Sequence, residues 1–436
     1  MADEAARQNG GTARSDTGRG GRVRGDRGRR RRWIAAALLL AIVLAALGLA
    51  RMGRVKGMTV SQAIPTEVGL SATPVASPTR VDYARLDARL HLLMQTPDMV
   101  GLAIGTVENG RVRFVRGYGE VLSGSGEAVT PDTVFRWGSV SKGVASSLVV
   151  QLAAQGKLSL DAPVASLGTS LRLPGDAAGV TVADILSHRT GLVRNAWDDR
   201  LEAGEDPRSI REAYAGLTPL CKPGTCHAYQ NIAYDTATEI VERATGDPYA
   251  TAAHNRLFAP LGMASASMNR AGLESAVSWA RPHRLGRRPT QVNDIYYRVP
   301  AAGGVNASIA DLTRWMRAQM GAAPGVLSPA MLETLHAPRV VTLPRGPRAP
   351  MDRALADAHY GLGWRSFIYR GHRLVGHRGT VDGYGSLILF DPAQRSGIVM
   401  LWNCNWHRAA RMQLEFFDQL YGLPPTDWLA LDELKR

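Results

Sequence analysis

The first clear pattern is VGLAIGTVENGRVRFVRGYGEV, beginning at Val100, where apolar and polar residues alternate on both sides of Asn109-Gly110. Alternation with period two reads as strand, and Asn-Gly between two such runs favours a type I′ turn, so the stretch predicts an antiparallel hairpin. Ahead of it, Leu86, Leu90 and Leu93 fall on one side of a helix predicted over 82–95. The run over 140–155 carries Val144, Leu148, Val149 and Leu152, has few polar residues on any side and ends at Gly156; it predicts a helix buried nearly all round. Helical patterns follow near Asp184 (TVADILSH) and over 233–245, closed by Gly246. Ser308 with Asp311 reads as a capping box opening IADLTRWMRAQM. Near the C-terminus, RLVGHRGTVDGYGSLILFDPAQRSGIVMLWN alternates like two strands about Asp391-Pro392, before an amphipathic helix over 407–420. Strands at both ends with helices between them describe an α+β domain whose terminal strands pair in one antiparallel sheet.

The N-terminus follows another rule. Residues 1–32 hold ten arginines against four acids and too little apolar surface to order, which predicts a disordered basic tail. The apolar run at 34–50, flanked by Trp33 and Met52, predicts a single membrane anchor or uncleaved signal over 33–52, with two alternatives open: Gly48 and Ala50 resemble a cleavage site, and Arg31-Arg32 a twin-arginine signal. Its arginine-rich side stays in the cytoplasm by the positive-inside rule, which sends the rest across. The expectation is an inner-membrane protein of a bacterium with its folded part on the extracytoplasmic side. Residues 53–80 read as a linker and 81–436 as one folded domain. The formal charge of +14 is largely this tail, so a nucleic-acid partner is not expected. Cys221 and Cys226 either close a small disulfide loop or stay free, and Cys404 is left over. No Cys/His spacing resembles a metal site, and no metal or cofactor is expected.

One charge interrupts the buried helix pattern, Lys142, three residues after Ser139. Residues three apart share a helix face, so the hydroxyl and the amine can meet. A serine is a weak nucleophile until a base takes its proton, and burial disfavours the charged form of a lysine. Only five of the 52 basic residues are lysines, and Lys142 alone has a serine three before it. Arginine, used almost everywhere else, cannot be deprotonated in proteins. Two further combinations stand out: Tyr229 and Asn231 in YQN, and His377 with Gly379 in HRG.

SVSK, YQN and HRG, in that order and at those intervals, resemble the serine β-lactamase and penicillin-binding-protein superfamily, and within it the class C β-lactamase and DD-peptidase-like branch, which includes esterases. LSHRTGL, YGLGW, AAGGVNASIADL and GYGSLILFDP agree with it, and the likeness covers about 82–422. The resemblance implies an antiparallel sheet flanked by helices plus a mostly helical subdomain. It implies an exported serine hydrolase acting through an acyl-enzyme on a D-alanyl peptide, a β-lactam or a carboxylic ester, with a small-molecule or peptidoglycan-derived peptide as partner. Ser139 would be the nucleophile and Lys142 its base partner. Tyr229 would shuttle the proton, Asn231 would orient substrate and Lys142, and His377 would supply a second cationic or hydrogen-bonding group. The N–H groups of Ser139 and Thr380 would form the oxyanion hole, with Gly379 beside them. Arg378 departs from the family pattern. Three readings stand for it: a carboxylate clamp, a plug excluding β-lactams, or a solvent-facing residue. His188 in LSHRTGL is expected to be structural. The alternative to an enzyme is a binding or scaffolding module that keeps the fold.

Overall fold

In the computed structural model, residues 79–177, 179–343 and 350–432 are described. The basic tail, the apolar run and all but the last two residues of the linker lie outside them. Among the described residues no helix is long and apolar enough to cross a membrane.

Eight strands form one sheet: β1 (Gly101–Glu108), β2 (Arg111–Gly119), β3 (Val340–Val341), β4 (Ala356–Tyr360), β5 (Arg365–Tyr369), β6 (His372–Val381), β7 (Tyr384–Asp391) and β8 (Ser396–Trp402). Their spatial order is β2-β1-β8-β7-β6-β5-β4-β3, antiparallel throughout. The first hairpin turns at Asn109 and Gly110, both left-handed at φ 51° and 76°, as a type I′ turn requires. β1 then pairs with β8, Leu102 opposite Trp402, which brings the two ends of the domain together. The central strands β1, β7 and β8 are buried along their whole length, because both faces of the sheet are covered. One face packs on α1 (Tyr83–Met94) and the C-terminal helix, with Leu86, Leu90, Phe416 and Phe417 in that layer. The other carries the larger core built around α2 (Ser141–Ala154).

Several expectations are refined. The C-terminal pattern holds three strands rather than two, because Asp382-Gly383, at φ 35° and 83°, makes an additional tight turn between β6 and β7. The helix at 233–245 is broken at Asp235 into Asn231–Tyr234 and Thr236–Thr245. Only half of the capping box at Ser308 forms. Ser308 accepts from the Asp311 N–H, while the Asp311 carboxylate turns to Ser265 and Arg314. Cys221 and Cys226 are joined as a disulfide, and Cys404 is a buried free thiol.

Candidate active site

Ser139 does not sit on α2 itself but in a single 3₁₀ turn, Gly138–Val140, that feeds it. Gly138 takes a left-handed φ of 50° to start that turn. The turn is pressed against β6 so closely that neither facing glycine admits a side chain. A Cβ on Gly379 would lie 2.1 Å from the Trp137 carbonyl oxygen and 3.0 Å from the Ser139 nitrogen, and one on Gly138 would lie 3.0 Å from the Thr380 nitrogen. The backbone nitrogens of Ser139 and Thr380 are therefore brought to one place, beside the Ser139 hydroxyl.

Lys142, on the first turn of α2, is fully buried. Its Nζ donates to Asn231 Oδ1 at 2.8 Å and to the Ala302 carbonyl at 2.9 Å, and lies 3.4 Å from Ser139 Oγ. The first two partners can only accept, so each uses one N–H. The third direction, toward Ser139, is then a lone pair in the amine and an N–H in the ammonium, and one geometry serves both states. Among the described residues no carboxylate forms an ion pair with it. Tyr229 Oη stands 2.7 Å from Ser139 Oγ, and Lys142 Nζ lies 4.7 Å from the centre of the Tyr229 ring. Asn231 completes the set from the start of its short helix. Ser139, Lys142, Tyr229 and Asn231 thus meet, although some ninety residues separate the two pairs in the chain.

His377 lies on β6 and is buried. Its Nδ1 meets the Arg378 carbonyl at 2.8 Å and its Nε2 meets Tyr360 Oη at 2.9 Å, while Tyr360 Oη also meets His188 Nε2 at 3.2 Å. His188 Nδ1 accepts from the Gln230 N–H, which makes its Nε2 a donor. The hydrogen bonds then run one way, from His188 through Tyr360 to His377, and give His377 a proton on Nδ1. Desolvation first, then Arg365 and Lys142, push the His377 imidazole well below its ordinary range. His377 is accordingly a neutral hydrogen-bonding group and not a second cation. His188 is buried, and desolvation first, then Lys142, pushes its imidazole well below the ordinary range.

Arg378 lines the cleft and pairs with Asp352 at 3.0 Å, both side chains remaining partly exposed. The cleft has a volume of about 540 Å³ and also receives Arg194 and Arg365. Arg365 lies 5.3 Å from the centre of the Tyr360 ring, and among the described residues no carboxylate pairs with it or with Arg194. Beyond Gly376, β6 pairs with no strand on its β5 side among the described residues, so the strip from His377 to Val381 presents a backbone edge to the cleft, its Arg378 carbonyl met by the His377 ring. Trp137 and Trp364 are buried core residues. Sequence reasoning missed Asp198, which accepts from Asn231 Nδ2 at 2.8 Å, and the roles of Ala302, Tyr360 and Arg365. The last three sit in or beside AAGGVNASIADL and YGLGW, stretches whose signal was visible; Asp198 opens a short helix in a polar stretch with none.

The chain is similar to known proteins over most of its length. An unguisins hydrolase of Aspergillus campestris is 27% identical over 322 residues, 70% of this chain and 59% of that protein, so the chain spans about three fifths of that relative's length. Penicillin-binding protein 4 of Amycolatopsis lactamdurans is 28% identical over 357 residues, covering 78% of this chain and 90% of the relative. An octameric penicillin-binding protein homologue from Pyrococcus abyssi shares the fold, with a TM-score of 0.70 at 23% identity over 80% of this chain and 79% of that one. The beta-lactamase family model matches residues 86–414, and the chain belongs to that family, within the superfamily of serine β-lactamases and penicillin-binding proteins.

Proposed function

We propose that this protein is a serine hydrolase that passes through an acyl-enzyme at Ser139. The observation that carries the reading is the bracketing of Ser139 Oγ by Tyr229 Oη at 2.7 Å and Lys142 Nζ at 3.4 Å, beside two backbone nitrogens. Ser139 Oγ attacks the carbonyl carbon of an amide or ester, and its proton passes to the Tyr229–Lys142 pair. The oxyanion forms against the N–H groups of Ser139 and Thr380. The C–N or C–O bond then breaks, the leaving group takes the proton from Tyr229, and water releases the acid by the reverse sequence. The free edge of β6 suits an extended, peptide-like substrate, which would add to it by backbone hydrogen bonds. Arg365, Arg194 and Arg378 against the single carboxylate of Asp352 favour a substrate that carries a carboxylate.

The test is intact-mass analysis of the full chain after a fluorophosphonate, followed by hydrolysis of nitrocefin, a p-nitrophenyl ester and a D-Ala-D-Ala peptide. One adduct is expected, absent in Ser139→Ala, with turnover of a carboxylate-bearing substrate and a raised KM for it in Arg365→Ala. No Ser139-dependent adduct would sink the reading, and turnover of the neutral ester alone would remove the carboxylate preference. The basic tail, the apolar run at 34–50 and the Cys221–Cys226 disulfide together support an exported, membrane-anchored domain.

A further inference from the structure

Asp198 begins a short helix, Asp198–Glu202, and is 8% exposed, yet among the described residues no ion pair explains its burial. One oxygen, Oδ2, accepts from Asn231 Nδ2 at 2.8 Å; the other, Oδ1, has no partner among the described residues. On the far side of the same amide, Asn231 Oδ1 accepts from Lys142 Nζ at 2.8 Å. Turning that amide over would set its NH₂ against the lysine and its carbonyl against the carboxylate, which puts donor against donor and acceptor against acceptor.

A second observation shows the carboxylate held in place. The loop that delivers it has two left-handed residues, Asn195 and Trp197, at φ 51° and 53°, an uncommon conformation for a side chain as large as tryptophan. This loop is tied to each residue of YQN in turn. Asn195 N–H donates to the Tyr229 carbonyl at 2.7 Å, Gln230 Nε2 donates to the Val193 carbonyl at 2.8 Å, and Asn231 Nδ2 donates to Asp198.

We infer that Asp198 is a positioning residue: its carboxylate fixes the orientation of the Asn231 amide and, through that amide, places Lys142 Nζ and balances its charge when it takes the Ser139 proton. The inference rests on the acyl-enzyme reading above. Asp198 touches neither the hydroxyl nor the cleft, whose lining does not include it. Burial pushes its carboxyl above the ordinary carboxylate range, against the pull of Asn231 and Lys142. The charged and titratable groups that face it are Lys142 across the amide, Asp199 and Glu202 on its own helix, and the phenols Tyr214 and Tyr296.

The test follows the rate of fluorophosphonate labelling of Ser139 in the full chain for Asp198→Ala, Asp198→Asn and Asp198→Glu, each also combined with Asn231→Ala, with the thermal midpoint of every variant. Expected for Asp198→Ala and Asp198→Asn is labelling slowed by about tenfold to a hundredfold, the scale of a reacting group misplaced by about an ångström. Asp198→Glu should recover part of it. The midpoint should hold or rise, since a buried charge is removed, and the penalty should vanish in the Asn231→Ala background. In the unaltered protein the rate should fall on the acid side as Asp198 takes a proton, and Asp198→Asn should lack that step. Unchanged labelling, an equal penalty with and without Asn231, or a loss of rate matched by loss of folded protein would each overturn the inference. Failure of the unaltered protein to label at Ser139 would instead overturn the acyl-enzyme reading, and this inference with it.

Discussion

Two buried cations in this domain are treated in opposite ways. Arg211, its side chain 6% exposed, is bracketed by carboxylates, with Asp235 at 3.0 Å and Glu239 at 2.8 Å, and donates to Ser170 Oγ at 2.7 Å. Lys142 is fully buried and is met by an amide oxygen, a backbone carbonyl and a hydroxyl, with the nearest carboxylate one amide away. A charge that must persist is neutralised on the spot, since an uncompensated one costs several kcal/mol to bury. On the acyl-enzyme reading Lys142 gains and loses a proton, and its acceptors suit either state. The two sites are joined: Asp235 also accepts from the Ala301 N–H, the residue before the carbonyl that holds Lys142.

Replacing the cation at each site separates the two logics. The largest effect expected is at Lys142. Lys142→Met should slow acylation by about 10²- to 10⁴-fold, the usual contribution of a positioned acid or base, while chemical denaturation shows stability held or raised. A loss of stability with labelling intact would reverse the assignment. Arg211→Met should do the opposite, costing about 3–5 kcal/mol of stability with labelling per folded molecule retained. Its pH dependence has a definite sign. Burial pushes the Asp235 carboxyl up to about 7 even with Arg211 pulling it down. A folded pKa above the unfolded one means the group favours folding at low pH and loses that contribution as pH rises through about 7. Without the arginine the protonated acid is cheaper to bury than the ion, so the penalty should be smaller at pH 5 than at pH 8, read by urea denaturation at both. The smallest effect belongs to Tyr360→Phe. It strips the hydroxyl joining His188 and His377 and should cost about 1–3 kcal/mol for two imidazole nitrogens left without a partner. Labelling should change less than tenfold, since Ser139 keeps its own neighbours; a larger drop would place His377 nearer the chemistry than its neutral state implies.

The sheet and the site were legible in the sequence to different depths. The helix over 82–95, the Asn109-Gly110 hairpin and the pairing of first and last strands rest on local periodicity and turn chemistry, and the chain keeps to them. The three strands β3 to β5, at one end of the sheet, were not readable. They are short, two to five residues each, and Val340, Ala356 and Arg365 lie in no alternating run. Ser139, Lys142, Tyr229 and Asn231 could be named because their spacing is unusual. Asp198 and Tyr360 could not be given roles, because their hydrogen-bond partners lie 17 to 172 residues away and no short-range rule places a carboxylate under an amide. The protonation of His377 was beyond reach for the same reason, being set first by burial and then by Arg365 and Lys142, which are distant in the chain or on another strand, with the adjacent Arg378 adding less.

The open side of β6 has a consequence for the protein as a material. A strand edge that can receive a substrate's backbone can equally receive the backbone of another molecule of the same chain, and backbone pairing does not discriminate between them. Arg378, the second residue of that strip, stands at this edge with its guanidinium held by Asp352, so an approaching strand meets a charged pair, the kind of side chain that blunts an edge.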